Sequence, residues 1–110
     1  ESTARSYTTT VWIALSYGGR AEIVAAANAA VAAGKKGDEE ELAEYMWTAA
    51  LPDPDLIIRT GGERRLSNLL TWRSVYSELF FTDTLWPAFT KDEFMRIVAE
   101  YGNRKRRYGA

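Results

Sequence analysis

The sequence contains no cysteine and no histidine among its 110 residues. The absence of cysteine excludes disulfide bonds, thiolate nucleophiles and cysteine-ligated zinc sites. The absence of histidine excludes Ser-His catalysis, histidine-ligated metals and the side chain that most often acts as a general base near neutral pH. Any chemistry of this chain must therefore use arginine, lysine, carboxylates, hydroxyls or backbone amides.

The chain also has little net charge and no long apolar run. Its 14 lysines and arginines are balanced by 15 aspartates and glutamates, which leaves a net charge of −1. Such a chain has no overall positive field to attract nucleic acid or an anionic membrane surface. No apolar stretch reaches the roughly 18 residues that a membrane-spanning helix needs. We therefore expect a cytoplasmic protein without a nucleic-acid partner.

The composition is that of one folded domain or of a piece of one. Hydrophobic residues make up 46% of the chain and charged residues 26%, which is typical of globular proteins. The first residues show neither an initiator methionine nor a signal-peptide pattern. They lead directly into a strand-like run, which favours a segment of a longer protein.

Three apolar segments predict strands, and the stretches between them predict helices. The strands are expected at residues 8–15, 56–58 and 78–82, and the helices at residues 20–33, 38–48, about 68–76 and 90 to about 104–107. Gly34 should end the first helix, and Asp38 and Thr90 should open the second and the last. Strands that alternate with helices predict an α/β fold with a parallel β-sheet flanked by helices. Because three strands make a thin sheet, one edge should be covered by strands outside this chain or by a partner.

Helical spacing and side-chain size also predict which apolar residues are buried. The expected buried faces are Ile23, Ala27, Ala30 and Val31 in the first helix, and Phe94, Ile97, Val98 and Tyr101 in the last. The tryptophans are Trp12, Trp47, Trp72 and Trp86. Most of them are expected in the core, although they could instead line a pocket for an apolar ligand.

Two predicted strands are followed by double glycines, at residues 17–20 and 59–65. Ligands of open parallel sheets bind at the carboxyl ends of the strands, and glycine lets an anion approach backbone N–H groups closely. Arg59 stands at such an end, and Arg65 and Ser67 follow in the same loop. Arginine binds phosphate oxygens through two parallel hydrogen bonds. The pattern is equally compatible with a diphosphate site and with a structural turn that carries surface arginines.

Two further charged features each allow two interpretations. Glu78 directly precedes an apolar strand, where it could pair with an arginine or offer a hard oxygen ligand to Mg²⁺ beside a phosphate. The salt bridge is favoured, because no second acidic ligand is obvious. The basic residues 104–107 could contact nucleic acid, but cations in a last helical turn usually serve the helix dipole at the surface.

Several motifs together resemble the C-terminal half of the cis-prenyltransferases, the undecaprenyl diphosphate synthase family. The matching stretches are RTGGERRLSN at 59–68, Trp72, YSELFFTD at 76–83, LWP at 85–87 and RRYG at 106–109. SYGGR at 16–20 is similar to the family's Asn-Tyr-Gly-Gly-Arg motif, with Ser16 in place of the usual asparagine. The match covers nearly the whole chain in the same order.

The resemblance implies a reaction, a metal and a set of site residues. The family condenses isopentenyl diphosphate with an allylic diphosphate, with Mg²⁺, to make Z-polyprenyl diphosphates. By motif, the loop of Arg59, Arg65, Leu66 and Ser67 would bind isopentenyl diphosphate, and Glu78 would help to bind Mg²⁺. Arg107 and Gly109 resemble the terminal Arg-x-Gly motif, which reaches into the neighbouring subunit's site.

The resemblance further implies a homodimer, with peripheral membrane contact through the lipid product. Because the stretch after the third strand is rich in apolar residues, we expect Phe80, Phe81 and Trp86 at or near the interface. A rigid last helix should carry Arg107 away from its own core.

One departure from the family limits what this chain can do. The family's Asp-Gly-Asn-x-Arg motif, whose aspartate binds Mg²⁺ and the allylic diphosphate, is absent. Residues 1–110 are thus expected to be the C-terminal portion of one cis-prenyltransferase domain, inactive alone. An alternative is a non-catalytic accessory subunit of a heteromeric cis-prenyltransferase, but such subunits typically lose the Arg-Thr-Gly-Gly-Glu motif that this chain keeps. A nucleic-acid binder is disfavoured by the net charge.

Overall fold

A computed structural model describes residues 9–108. The elements are α1 (Gly19–Ala32), α2 (Glu39–Glu44), β1 (Leu56–Arg59), β2 (Glu78–Phe81), a short 3-10 helix (Trp86–Ala88) and α3 (Lys91–Asn103). The two strands form a parallel sheet, in which Leu56 lies opposite Glu78 and Arg59 lies opposite Phe81. The predicted parallel sheet flanked by helices is confirmed, and so are two of its three predicted strands.

The helix α3 runs back along β2, from its carboxyl end to its amino end. In the first turn of α3, the Glu93 carboxylate accepts hydrogen bonds from the hydroxyls of Thr82, at 2.6 Å, and Thr84, at 2.9 Å. Just beyond the other end of α3, Arg104 pairs with Glu78 at 3.0 Å. The chain that follows α3 is therefore returned to the amino end of the sheet.

Residues 9–15 do not form the first predicted strand, so that prediction is wrong for these residues. The side chains of Val11 and Leu15 are 80% and 83% exposed. A strand needs a neighbour to pair with its backbone, and no strand lies beside this run among residues 9–108. Residues 11–15, whose apolar character predicted burial, are therefore exposed in the part of the chain that the structure describes.

The helix α1 forms within one residue of its predicted bounds, but it buries a different face. Its buried residues are Gly19, Glu22, Ala26 and Ala30. Of the predicted face, only Ala30 is fully buried, while Ala27 and Val31 are exposed. A helix so rich in alanine is apolar on most sides, so contacts with the rest of the chain choose the buried face. The predicted end is confirmed, because Gly34 follows the helix with a φ of 74°.

The helix α2 opens as predicted but is shorter than predicted. The Asp38 carboxylate accepts from the Glu41 N–H at 2.8 Å, and the Glu41 carboxylate accepts from the N–H groups of Lys36 and Gly37. The helix ends at Glu44, and turns continue to about residue 50. The prediction of helix to about Thr48 is wrong, because the Thr48 N–H bonds the Glu22 carboxylate and not the preceding turn.

The helix predicted at about 68–76 does not form, and residues 66–76 make a series of turns. Ser67, Asn68 and Leu70 all have positive φ, at 49°, 67° and 46°. Such residues cannot continue a right-handed helix. The prediction of a helix here is therefore wrong, and the turns instead shape the loop that follows β1.

The last helix begins as predicted, because the Thr90 hydroxyl accepts from the Glu93 N–H. Ile97 is buried, Val98 and Tyr101 are partly buried, and Phe94 is exposed. The helix ends at Asn103, and Arg104 has an extended backbone, so the basic residues 104–107 do not form a last helical turn as expected. Within residues 9–108, no helix has both the length and the apolar content to cross a membrane.

Candidate functional site

Arg59, the last residue of β1, forms hydrogen bonds with the loop that follows the strand. Its guanidinium donates to the Ser67 hydroxyl at 2.8 Å and to the backbone carbonyl of Arg65. A cavity of about 350 Å³ opens there, within the range of small-ligand sites, about 300–1,000 Å³. It is lined by Ile57, Ile58, Arg59, Thr60, Arg65, Leu66, Ser67 and Leu69. The structure thus brings together all four residues that the resemblance assigns to isopentenyl diphosphate.

The two arginines of this loop differ in how their charge is used. Both partners that Arg59 has within residues 9–108 are neutral, so no carboxylate in this part of the chain compensates its positive charge. Arg65 pairs with Glu63 at 2.6 Å, but its side chain is 62% exposed. An exposed pair of this kind contributes about 0–1 kcal/mol. Arg65 can therefore exchange Glu63 for another anion at small cost.

The glycines of this loop close it, and they do not expose their amides as expected. Gly61 and Gly62 have φ values of 92° and 86°, which favour glycine. Their N–H groups donate to the carbonyls of Thr84, at 2.9 Å, and Thr82, at 3.0 Å. These bonds tie the loop to the chain that leaves β2. An anion bound here would therefore rely on side chains and not on these two amides.

Asn68, in the loop that follows β1, binds the first double-glycine motif, a contact that the sequence did not indicate. Its carbonyl accepts from the Gly19 N–H at 2.8 Å, and its side-chain oxygen accepts from the Arg20 N–H at 2.9 Å. A Cβ atom on Gly19 would lie 2.1 Å from the Thr71 hydroxyl oxygen, so only glycine fits. The start of α1 is thus packed directly against the loop that carries Arg65 and Ser67.

A fully buried glutamate supports the same end of α1. The Glu22 carboxylate accepts from the Thr48 N–H at 2.8 Å, from the Thr48 hydroxyl at 2.6 Å, and from the Tyr17 hydroxyl. Burial acts to raise the pKa of Glu22, but these hydrogen bonds outweigh it and hold the pKa below its ordinary value. Burial and the bond to Glu22 raise the pKa of Tyr17. No signal in the sequence distinguishes Glu22 from an exposed helical glutamate.

Arg73, in the turns of residues 66–76, adds a positive charge to the hydrogen-bond network of Glu22. The Arg73 Nε donates to the Thr48 hydroxyl at 3.0 Å, and the Arg73 guanidinium pairs with Asp53 at 3.0 Å. The chain between α2 and β1 is thereby tied to the turns that follow the Arg59 loop. The polar network holds α1 and both segments in one arrangement around the site.

Glu78 lies at the amino end of β2, so the sheet separates it from the Arg59 loop. It pairs with Arg104 at 3.0 Å, and the Arg104 guanidinium lies 3.7 Å from the centre of the Phe80 ring. Among residues 9–108, no group of three acidic, cysteine or histidine side chains could hold a metal. Glu78 thus makes the salt bridge that the sequence favoured, and it is a single carboxylate with respect to Mg²⁺.

The structure brings Arg107 to the same end of the sheet as Glu78. Both line a cavity of about 250 Å³, together with Val75, Tyr76, Ser77, Arg106 and Tyr108. The tail therefore lies on its own sheet, and the expectation that α3 carries Arg107 away from the core is wrong. The tail lies there because Arg104 pairs with Glu78 and Arg106 pairs with Asp55. Gly109 lies outside the described residues.

The tryptophans are more exposed than expected. Trp12, Trp47 and Trp86 are exposed and Trp72 is partly buried, so the prediction that most lie in the core is wrong. Trp12 and Trp47 line a mainly apolar cavity of about 570 Å³. Trp86 is 72% exposed and stacks on Phe89 at 6.0 Å. Of the residues expected near an interface, Phe80 is instead buried within the chain.

Comparison with known proteins gives consistent relatives. A family model described as undecaprenyl diphosphate synthase matches residues 1–109. An isoprenyl transferase of Listeria monocytogenes is 49% identical over 107 residues, which cover 91% of this chain and 42% of that protein. One of Thermotoga maritima is 50% identical over 105 residues, which cover 91% of this chain and 45% of that protein.

Solved structures resemble this chain in the same way. A probable undecaprenyl diphosphate synthase from Campylobacter jejuni matches with a TM-score of 0.80 and 41% identity, over 87% of this chain and 45% of that chain. The lavandulyl diphosphate synthase from Lavandula x intermedia, solved with dimethylallyl diphosphate, matches with a TM-score of 0.79 and 35% identity, over 87% of this chain and 44% of that chain. The chain therefore spans less than half the length of these relatives.

Proposed function

The chain belongs to the undecaprenyl diphosphate synthase family of prenyltransferases, and on that premise we propose that it supplies the isopentenyl-diphosphate half of a cis-prenyltransferase site. The reaction is the condensation of isopentenyl diphosphate with an allylic diphosphate to give a Z-polyprenyl diphosphate. Residues 1–110 are then the C-terminal portion of one catalytic domain. The observation that carries the proposal is the contact of Arg59 with Ser67 at the carboxyl end of β1.

The Arg59 loop suits a diphosphate because of its donors and its charge. Arg59 is held by a hydroxyl and a carbonyl, which orient the guanidinium without neutralising it. The exposed Arg65 and the Ser67 hydroxyl border the same cavity. Guanidinium groups bind phosphate oxygens by charge-assisted hydrogen bonds, which are about twice as strong as neutral ones. Leu66, in the same wall, offers apolar contact for the isopentenyl group.

The allylic half of the site is assigned to a segment that corresponds to the rest of the relatives' length. The match covers only 42–45% of those proteins, and the lavandulyl diphosphate synthase was solved with an allylic diphosphate bound. The exposed apolar residues 11–15 offer a surface for such a segment to cover. The complete enzyme is this chain together with that segment. It works as a cytoplasmic protein, and its lipid product brings it into contact with membranes.

Arg107 and Glu78 are assigned to the site of a neighbouring subunit in a homodimer. The strand β1 spans about 10 Å at a rise of about 3.3 Å per residue, and it separates these residues from the Arg59 loop of the same chain. They therefore need a second copy to approach a bound diphosphate. The exposed Trp86 and its partner Phe89 offer an apolar surface for that copy.

Glu78 fits a limited part in Mg²⁺ binding. Mg²⁺ is usually held by one or two carboxylates together with substrate phosphates and water, so one carboxylate from this chain is sufficient. When bound, Mg²⁺ neutralises the charge of the diphosphate. Glu78 would have to exchange Arg104 for this role, and Arg104 keeps a second carboxylate partner in Glu100 at 3.3 Å.

The test compares Arg59→Ala with Arg64→Ala in the complete enzyme. Loss of Arg59 should cost about 1.5–3 kcal/mol per charge-assisted contact, which is about tenfold or more in the KM for isopentenyl diphosphate. The KM for the allylic substrate should change little. Arg64 lies exposed in the same loop, so its replacement controls for the loss of one positive charge. Equal KM values for both variants and the wild type would overturn the assignment.

A further inference from the structure

The tail after α3 alternates between residues held on the sheet and residues directed outward. Arg104 lies over the Phe80 ring and Arg106 is partly buried, whereas Lys105 and Arg107 are exposed. This alternation is that of an extended chain. The direction of Arg107 is therefore set by how firmly its neighbours are held.

Arg106 is the more buried of the two anchoring arginines, with a side chain that is 22% exposed against 35% for Arg104. It pairs with Asp55 at 2.6 Å and donates to the Tyr76 carbonyl at 3.0 Å. Its guanidinium also lies 4.8 Å from the centre of the Tyr108 ring. Its Nε is buried and has no hydrogen-bond partner among the described residues. These contacts hold the Arg106 side chain at the amino end of the sheet.

Asp55, the acidic partner, is fixed by the sheet itself. It immediately precedes β1, and its carbonyl accepts from the Glu78 N–H at 2.9 Å. Its side chain is 69% exposed, and an exposed ion pair adds little to stability. The pair therefore matters less for the folding of the chain than for where it places the tail.

We propose that the Asp55–Arg106 pair positions Arg107 for its contact with the isopentenyl diphosphate of the neighbouring subunit. Asp55 and Arg106 are positioning residues, since neither is assigned to touch the substrate. The proposal rests on the proposed function, which gives Arg107 that contact. The strand β1 then serves two sites. Its carboxyl end carries Arg59 for the site of the same subunit, and its amino end directs the tail toward the site of the neighbouring subunit.

The test measures steady-state kinetics of the complete enzyme with Asp55→Asn, Arg106→Gln and the double variant. Each single change should raise the KM for isopentenyl diphosphate about fivefold or more, because a small misplacement of a binding group lowers reactivity strongly. The KM for the allylic substrate should not change. The double variant should be no worse than the single variants, because all three lose the same ion pair. Lys105→Gln, which removes an exposed positive charge from the same tail, should behave as the wild type.

Arg107→Ala separates the failure of this proposal from the failure of the proposed function. If Arg107→Ala raises the KM while Asp55→Asn and Arg106→Gln behave as Lys105→Gln does, the positioning role is wrong and the proposed function stands. If Arg107→Ala has no effect, the assignment of the tail is wrong, and the positioning role fails with it. Should Arg106→Gln not fold, Asp55→Asn decides alone, because Asp55 is exposed and its change preserves shape.

Discussion

The two ends of the sheet use arginine in opposite ways. At the carboxyl end, Arg59 is oriented by a hydroxyl and a carbonyl. At the amino end, Arg104 and Arg106 are paired with Glu78 and Asp55. A guanidinium with neutral partners keeps its charge for an anion, whereas one with a carboxylate partner is largely compensated. Ligand binding is therefore expected at the carboxyl end, and anchoring of the tail at the amino end.

Arg107 differs from the two anchoring arginines at the amino end of the sheet. It is exposed, and the described residues give it no ion pair. The cavity that Arg107 lines also contains Glu78, and it contains no residue of the Arg59 loop. The proposed function assigns this exposed charge to a site in another subunit.

The largest effect is expected when this chain, which carries the Arg59 loop, is assayed without the rest of the enzyme. The 110-residue chain should show no prenyl transfer, because it carries the isopentenyl-diphosphate loop without the allylic half. The measurement is incorporation of labelled isopentenyl diphosphate into polyprenyl product, with the complete enzyme as the positive control. Product above the blank from the isolated chain would mean that the described site is more complete than we propose.

A smaller effect is expected from Glu78→Gln, which tests the amino end. If Glu78 contributes to Mg²⁺ binding, the Mg²⁺ concentration for half-maximal activity should rise about 10- to 100-fold, the range found when metal ligation is weakened. Glu100→Gln is the matched control, because it removes the other carboxylate partner of Arg104 and leaves Glu78 intact. Identical Mg²⁺ dependence of the two variants would leave Glu78 as a salt bridge only.

The smallest effect is expected from Glu22→Gln, which tests the buried hydrogen bonds that Glu22 accepts from Tyr17 and Thr48. The change should lower the stability of the complete enzyme by about 1–3 kcal/mol at pH 7, because buried donors lose a charged acceptor. Glu39→Gln, at an exposed position of α2, should change it little. The measurement is urea denaturation of the three proteins.

The effect of Glu22 should also depend on pH in a defined direction. Its pKa is lowered in the folded protein, so its contribution is complete above the unfolded value of about 4.3. That contribution is lost as the pH falls through the lower folded-state pKa. The difference between wild type and Glu22→Gln should therefore shrink in acid, and a difference that grows in acid would contradict the assignment.

Local signals in the sequence predicted local features of the fold well. Asp38 and Thr90 cap helices as predicted, Gly34 follows α1 with positive φ, and Arg59 ends its strand. Each of these features depends on neighbours within a few residues. The apolar runs at 56–58 and 78–82 also predicted strands correctly, but for a different reason, because their partner strands lie within this chain.

Features that depend on distant contacts could not be predicted. Asn68 adopts positive φ and binds the start of α1, 48 residues away, and this broke the expected helix at 68–76. Glu22 is buried because Thr48 and Tyr17 surround it, and no helical periodicity marks it. Residues 9–15 look like a strand, but a strand forms only where a partner is present.

The measurement that tests the account most directly mixes two variants of the complete enzyme, Arg59→Ala and Arg107→Ala, at an isopentenyl diphosphate concentration low enough that each variant alone shows little activity. If Arg107 acts across the subunit interface, a mixed dimer contains one site with both lesions and one site with neither. Activity should then return after the subunits exchange. If Arg107 acts within its own subunit, every site keeps one lesion. No recovery despite demonstrated exchange would contradict the claim that the two ends of the sheet serve different sites.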